Sequence, residues 1–259
     1  YGVIETSSME RWAGRVALVT GASAGIGAAT AELLVKRGMT VVGCARNVDR
    51  VQNLADKLKG SPGKLCPYQC DLTNEAEILS VFSKVKAEHG GVDVCINNAG
   101  LSHSASLLEG DTAQWKNMLD VNVLGLCICT REAVKSMEER KVDDGHIINI
   151  NSLSGKRVLN NASNHFYTAS KFAVSALSEG VRNELREKGS HIRISQISPG
   201  LVETEFVTRS RGDEVAKKLY GSMKCLQAED IAEAIEYVLA APPHVQVHDV
   251  QLRATEQKM

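Results

Sequence analysis

The 259-residue chain has only five prolines, no Ser/Gly-rich stretch and no run of like charge, so nothing in it reads as a linker, an internal repeat or a low-complexity segment. A chain of this length without a linker fits one α/β domain. No apolar run approaches the ~20 residues of a membrane span, so no spanning helix is expected. Thirty Lys and Arg against 31 Asp and Glu give a formal charge of -1, which argues against nucleic acid as a partner. The seven cysteines (44, 66, 70, 95, 127, 129 and 225) are odd in number and several fall within apolar runs. Free packed thiols in a reducing compartment are expected, and with them a cytoplasmic location. Cys66-x-x-x-Cys70 and Cys127-x-Cys129 lack a matching second half, so no metal site is predicted. Residues 1–8 are polar and carry no signal-peptide core, and Met9 reads as a natural start. The expected division is an N-terminal extension over 1–13, one domain over 14–252 and a tail over 253–259.

What the chain does have is alternation. Short Val/Ile-rich runs alternate with longer segments of helical period, the pattern of βαβ units and a parallel sheet. Strands are expected at 16–20, 40–45, 64–70, 92–97, 146–151, 191–197 and 245–252. Helices are expected at about 26–37, 48–59, 74–88, 111–140, 164–188 and 228–239, with Asn74 or Thr73 as an N-cap. The stretch before the last helix reads as irregular. Seven strands with helices between them give a Rossmann-type, doubly wound α/β fold, whose ligands sit beyond the carboxyl ends of the strands.

That rule gathers the candidates on one edge. The loop Thr20-Gly-Ala-Ser-Ala-Gly-Ile-Gly27, Asp71, Asn97-Asn-Ala-Gly100, Ser152 and Pro199-Gly200 all fall at strand ends. The glycines let the backbone approach a pyrophosphate at the positive end of a helix, although such a loop alone could be only a tight turn. Tyr167 and Lys171 are four apart on one helix face, where an ammonium can favour the ionised phenol. A free tyrosine titrates near pH ~10, so bringing it near neutrality takes roughly 4 kcal/mol of differential stabilisation. A Tyr-x-x-x-Lys pair is also common in ordinary helices, as a packed ring and a solvated amine.

Together, in this order over residues 14–252, these motifs resemble the short-chain dehydrogenase/reductase family. The resemblance implies Tyr167 as acid/base, Ser152 as hydrogen-bond partner of the reacting oxygen, and Lys171 as the group that lowers the tyrosine pKa and binds the nicotinamide ribose. Ser154 competes with Ser152, though the Ser-x-x-Gly register favours the latter. Asn122 matches a water-holding asparagine of a proton relay; it could equally repair a bend in its helix. The implied cofactor site comprises Gly21, Ser23, Gly25, Ile26, Gly27, Arg46, Asp71, Leu72, Asn98, Ala99, Gly100, Tyr167, Lys171, Pro199, Gly200, Val202 and Thr204. Asp71 could instead cap the following helix.

Cofactor choice turns on the end of the second strand, which reads Gly43-Cys-Ala-Arg46-Asn47 with no carboxylate to bond the ribose hydroxyls of NAD. Arg46 suits the 2′-phosphate of NADP(H), although an exposed arginine there is often merely solvated. The substrate contacts expected are Ser152, Tyr167, Leu153, His165 and Phe206, in a neutral, mainly apolar pocket for a small carbonyl or alcohol. His165 could instead be a packing residue. Cys95-Ile-Asn-Asn-Ala-Gly100, Val142 to Ser152 and Thr255-Glu-Gln257 further resemble a subgroup of the family that reduces ketosteroids and α-dicarbonyls with NADPH, and less closely one that oxidises farnesol. Competing readings are an alcohol dehydrogenase using NADP+ or NAD+, and a silent NADP-binding scaffold. The family also implies a homodimer or homotetramer formed through the helices that carry Asn122 and Tyr167.

Overall fold

A computed structural model describes residues 8–258; of the expected N-terminal extension, residues 1–7 lie outside the described residues. Seven strands form one parallel sheet in the order β3-β2-β1-β4-β5-β6-β7: β1 Val16–Thr20, β2 Thr40–Ala45, β3 Lys64–Gln69, β4 Val94–Asn97, β5 His146–Ile150, β6 Arg193–Pro199 and β7 Asp249–Leu252. The helices are α1 Gly25–Lys36, α2 Val48–Lys57, α3 Glu75–His89, α4 Thr112–Leu119, α5 Leu126–Glu139, α6 His165–Glu187, α7 Glu205–Arg211, α8 Asp213–Tyr220 and α9 Ala228–Ala240.

Every residue of β1, β4, β5 and β6 is buried, as expected for parallel strands covered on both faces. Alternate residues serve two cores. Ala17, Val19, Ile96 and Ile148 pack with α1 and α9, whereas Val16, Leu18, Cys95 and Ile147 pack with α3 and α5. Strand order reverses about β1, so β2 and β4 flank it and a crevice opens beyond their carboxyl ends. All seven cysteines are free, and burial raises the thiol pKa of each, most strongly for those inside the sheet core. Among the described residues no helix is long and apolar enough to cross a membrane.

The structure corrects several expectations. The helix expected over 111–140 is broken by a π-turn at Asp120–Gly125, between α4 and α5. The last strand is confined to Asp249–Leu252 because Arg193 takes the carbonyls of Ala241, Pro242 and Val245, and Ser195 that of Val247, away from any ladder. β6 correspondingly begins at Arg193 and reaches Pro199. The stretch expected to be irregular before α9 contains α7 and α8, split at Gly212, whose φ of +85° favours glycine.

Trp12 closes the bottom of the first core. It is fully buried, its indole N–H donates to the Leu239 carbonyl at 2.8 Å, and the Arg11 and Arg15 guanidinium groups lie 5.0 and 4.6 Å from its ring. Trp12→Ala is expected to destabilise the fold by about 3–5 kcal/mol, measured by urea unfolding. A loss below about 1 kcal/mol would mean that this contact is peripheral.

Candidate active site

Thr20, the last residue of β1, builds the floor of the crevice. Its hydroxyl accepts from the N–H groups of Asn98 and Ala99, both at 3.0 Å, and its carbonyl accepts from Asn98 Nδ2 at 2.9 Å. The ends of β1 and β4 are thereby stapled, and Gly21 to Gly27 turns against Asn98. A Cβ on Gly27 would stand 2.3 Å from the Gly21 carbonyl, and Gly21 and Gly25 have φ of +71° and +54°. These are backbone positions that a side chain would fill or strain.

Helix α1 opens from this loop without a side-chain cap or an acidic residue in its first turn. By contrast, α2, α3 and α4 are capped by Asn47, Asn74 and Asp111. A positive helix end left uncapped beside a tight glycine loop is the donor set a pyrophosphate requires. Ser23 and Ile26 line the same turn, half-buried.

Arg46 stands exposed beyond β2, with no ion pair among the described residues. Asp71, beyond β3, accepts from the N–H and hydroxyl of Thr73 at 2.9 and 2.8 Å; these bonds, and then the Arg46 charge, hold its carboxyl below the ordinary range. Its turn precedes α3, whose own cap is Asn74. Leu72 follows, its carbonyl lying 2.9 Å from where a Cβ on Gly125 would stand in the π-turn.

Inside that π-turn Asn122 reaches back across the crevice. Its Oδ1 accepts from Leu101 N–H and its Nδ2 donates to the Leu101 carbonyl, both at 2.8 Å. Nδ2 also approaches Ser170 Oγ at 3.1 Å, and Ser170 donates to the Tyr167 carbonyl. The Asn122 side chain thus ties the π-turn to the loop after β4 and to α6, and makes no described bond to the main chain of its own helix. It shares the space beside Gly100 with Lys171: a Cβ there would lie 3.4 Å from Asn122 Oδ1 and 3.7 Å from Lys171 Nζ.

Tyr167 and Lys171 stand on the first turns of α6. Lys171 is buried, donates to the Ile150 carbonyl at 2.9 Å, and lies 5.8 Å from the centre of the Tyr167 ring. Burial lowers its pKa to about 8. Burial likewise pushes the Tyr167 phenol up to about 12, while the Ser152 hydroxyl, its hydrogen-bond partner, pulls the other way. In the protein alone desolvation outweighs the Ser152 hydrogen bond.

Ser152 is half-buried and its Oγ accepts from Ser154 N–H at 3.0 Å, whereas Ser154 is buried. Leu153 starts the short 3-10 turn that follows. His165 turns to the Leu159 carbonyl, 3.1 Å from Nε2, and so braces its own loop. Phe206 lies against Tyr167 with ring centres 5.7 Å apart.

The segment beyond Pro199 and Gly200 arches over the crevice. Val202 bridges to Leu226, and Thr204 caps α7 while its methyl sits 3.1 Å from where a Cβ on Gly25 would stand. Several supports of this arch carry no sequence signal. Glu205 takes two bonds from Arg50 of α2, at 2.5 and 2.9 Å, which with a further bond from Arg209 holds its carboxyl down at about 2. Tyr220 Oη donates to the Thr204 carbonyl at 2.8 Å. Gln257 Oε1 accepts from Leu201 N–H at 2.9 Å, and Glu256 from Lys224 N–H at 3.1 Å. Apart from the i, i+4 pair of Glu205 and Arg209, these partners lie 16 to 155 residues apart and leave no local pattern to read.

Comparison with known proteins identifies the class. The family model described as short chain dehydrogenase matches residues 15–215, and the chain belongs to that family of oxidoreductases. It is 60% identical over 253 residues to dehydrogenase/reductase SDR family member 11 of Bos taurus, covering 96% of this chain and 99% of the relative. It is 45% identical over 252 residues to farnesol dehydrogenase of Aedes aegypti, covering 96% and 100%. Among solved structures, the closed form of serine dehydrogenase complexed with NADP+ superposes with a TM-score of 0.86 at 33% identity, covering 94% of this chain and 96% of that one.

Asn122→Leu leaves the Leu101 N–H and carbonyl without their partners and is expected to cost about 2–4 kcal/mol in urea unfolding. A cost under about 0.5 kcal/mol would remove Asn122 from the support of the crevice.

Proposed function

We propose that the chain is an NADPH-dependent carbonyl reductase acting on a ketone in an apolar setting, of the ketosteroid or α-dicarbonyl kind. The observation that carries this reading is the convergence of Ser152, Tyr167 and Lys171 on one side of a glycine cradle whose other end is marked by an exposed Arg46 at the end of β2, where Gly43 to Asn47 holds no carboxylate. The uncapped α1 fits the pyrophosphate, and Arg46 fits a 2′-phosphate. Asp71, Leu72, Asn98, Ala99 and Gly100 are assigned to the adenosine side, and Pro199, Gly200, Val202 and Thr204 to the nicotinamide side. NADP+ in the related serine dehydrogenase supports the choice of cofactor.

When bound, the nicotinamide supplies the hydride. Tyr167 is assigned as the acid that gives its proton to the carbonyl oxygen, with Ser152 as its hydrogen-bond partner. Ser152 donates a hydrogen bond to the same oxygen as negative charge develops there. Lys171 keeps a cationic group near the phenol, and its pKa of about 8 leaves it largely protonated at neutrality. Both side-chain ends of Asn122 are committed to Leu101, so a proton relay at this residue would use its main-chain carbonyl. Phe206 and Leu153 give the carbonyl an apolar wall, and His165 shapes its rim. The same groups run the reverse oxidation, and the farnesol dehydrogenase relative favours that as the second reading.

A homo-oligomer is part of the proposal. Leu124 and Phe172 are 55% and 40% exposed, and a groove of about 280 Å³ between α5 and α6 is lined by Leu126, Val134, Leu177 and Val181. A second copy meeting this face would cover them.

Tyr167→Phe is expected to lower the rate of NADPH oxidation with an α-dicarbonyl by about 10²–10⁴-fold, with NADPH affinity by fluorescence titration nearly unchanged. Retained turnover would exclude Tyr167 as the acid. Arg46→Ala is expected to weaken NADPH binding about tenfold or more while sparing NADH, and equal losses for both would refute the 2′-phosphate assignment. Phe172→Glu is expected to dissociate the oligomer in sedimentation velocity; an unchanged distribution would place the interface elsewhere.

A further inference from the structure

Ser152 follows directly on Asn151, and Asn151 is the centre of a buried polar cluster that the reaction itself does not use. Asn151 is 3% exposed and its N–H donates to the Ile197 carbonyl of β6 at 2.7 Å. Its Nδ2 donates to Gln196 Oε1 of β6 at 2.7 Å and to Ser175 Oγ of α6 at 2.9 Å. Ser175 Oγ in turn donates to the Gly155 carbonyl at 2.9 Å.

The turn after Ser152 is thus fixed from two sides. Gly155 N–H returns to the Ser152 carbonyl at 2.9 Å, and a Cβ on Gly155 would lie 2.5 Å from Asn151 Oδ1 and 2.7 Å from the Lys171 carbonyl. The turn therefore packs directly on the main chain of the helix that carries the tyrosine. Ser175 is four residues beyond Lys171 and eight beyond Tyr167, on the same face of α6. Beside the Tyr167–Ser152 hydrogen bond itself, the Ser175–Gly155 bond joins a side chain of α6 to the turn of Ser152–Gly155.

We propose that Asn151 and Ser175 are positioning residues for the reaction: through the Gly155 carbonyl they set the Ser152 turn against α6, and so fix the Ser152 hydroxyl on the Tyr167 phenol. This rests on the reading that Ser152 and Tyr167 carry the chemistry. A displaced Ser152 weakens polarisation of the carbonyl and so lowers kcat. A link that merely stabilised the fold would not lower kcat while leaving NADPH binding intact.

The test compares Ser175→Ala, Ser175→Thr and Asn151→Ser with the wild type, using NADPH and 1-phenyl-1,2-propanedione as the α-dicarbonyl probe. Ser175→Ala is expected to lower kcat about tenfold, as small displacements of reacting groups do, with NADPH affinity little changed and a melting temperature lower by a few degrees from the lost buried hydrogen bonds. Asn151→Ser should behave likewise, and Ser175→Thr, which keeps the hydroxyl, should restore the rate. Wild-type kcat in Ser175→Ala would overturn the assignment. So would a loss of kcat matched by an equal weakening of NADPH binding, which is the mark of a structural role alone. Ser152→Ala and Tyr167→Phe run beside these variants separate the two claims: if they keep full turnover, the catalytic reading itself is wrong and the positioning role falls with it.

Discussion

A parallel sheet covered on both faces admits polar chemistry only where its strands end. β1, β4, β5 and β6 are wholly buried, and their ladder satisfies the main chain along their length. The carboxyl ends are where carbonyls and N–H groups escape the ladder, and there the chain has placed its glycines, its serine turn and the arch beyond β6. The site is less an addition to the fold than the place where the fold runs out of apolar partners.

That edge is rigid because polar side chains are carried inward to hold it. Asn97 donates to Thr130 and Asn149 at 2.9 and 2.8 Å, Asn149 to Ser178 at 2.9 Å, and Asn151 to Ser175 and Gln196. Each is buried, so each donor left without a partner would cost about 1–3 kcal/mol. Such a network tolerates few arrangements, and it fixes the ends of β4 and β5 against α5 and α6 to within a hydrogen-bond length.

Much of this was legible in the sequence wherever the signal is local. The Val/Ile runs of β1 and β5, the glycine spacing from Gly21 to Gly27 and the i, i+4 relation of Tyr167 and Lys171 are patterns within a few residues, and the structure places them on one edge. What was not legible depends on distant partners. The capture of the 241–247 carbonyls by Arg193 and Ser195 shortens the last strand, and the closure of Asn122 on Leu101 accompanies the π-turn. α7 and α8 were obscured by their brevity, having only seven and eight residues, and by their separation at a single glycine. Spacing places an amine near the Tyr167 phenol, but it carries no sign that the amine donates to the Ile150 carbonyl or that the phenol is desolvated.

The two feet of the arch, at Leu201 and Lys224, are held by consecutive tail residues, Gln257 and Glu256. A span anchored at both ends by the same short peptide behaves as a cassette. Its crown can lengthen, shorten or change composition while the anchors stay where they are, and doubling its length would add only about 0.6 kcal/mol of closure entropy. What limits change in the crown is then the start of α7, where Thr204, Glu205 and Phe206 meet Gly25, Arg50 and Tyr167.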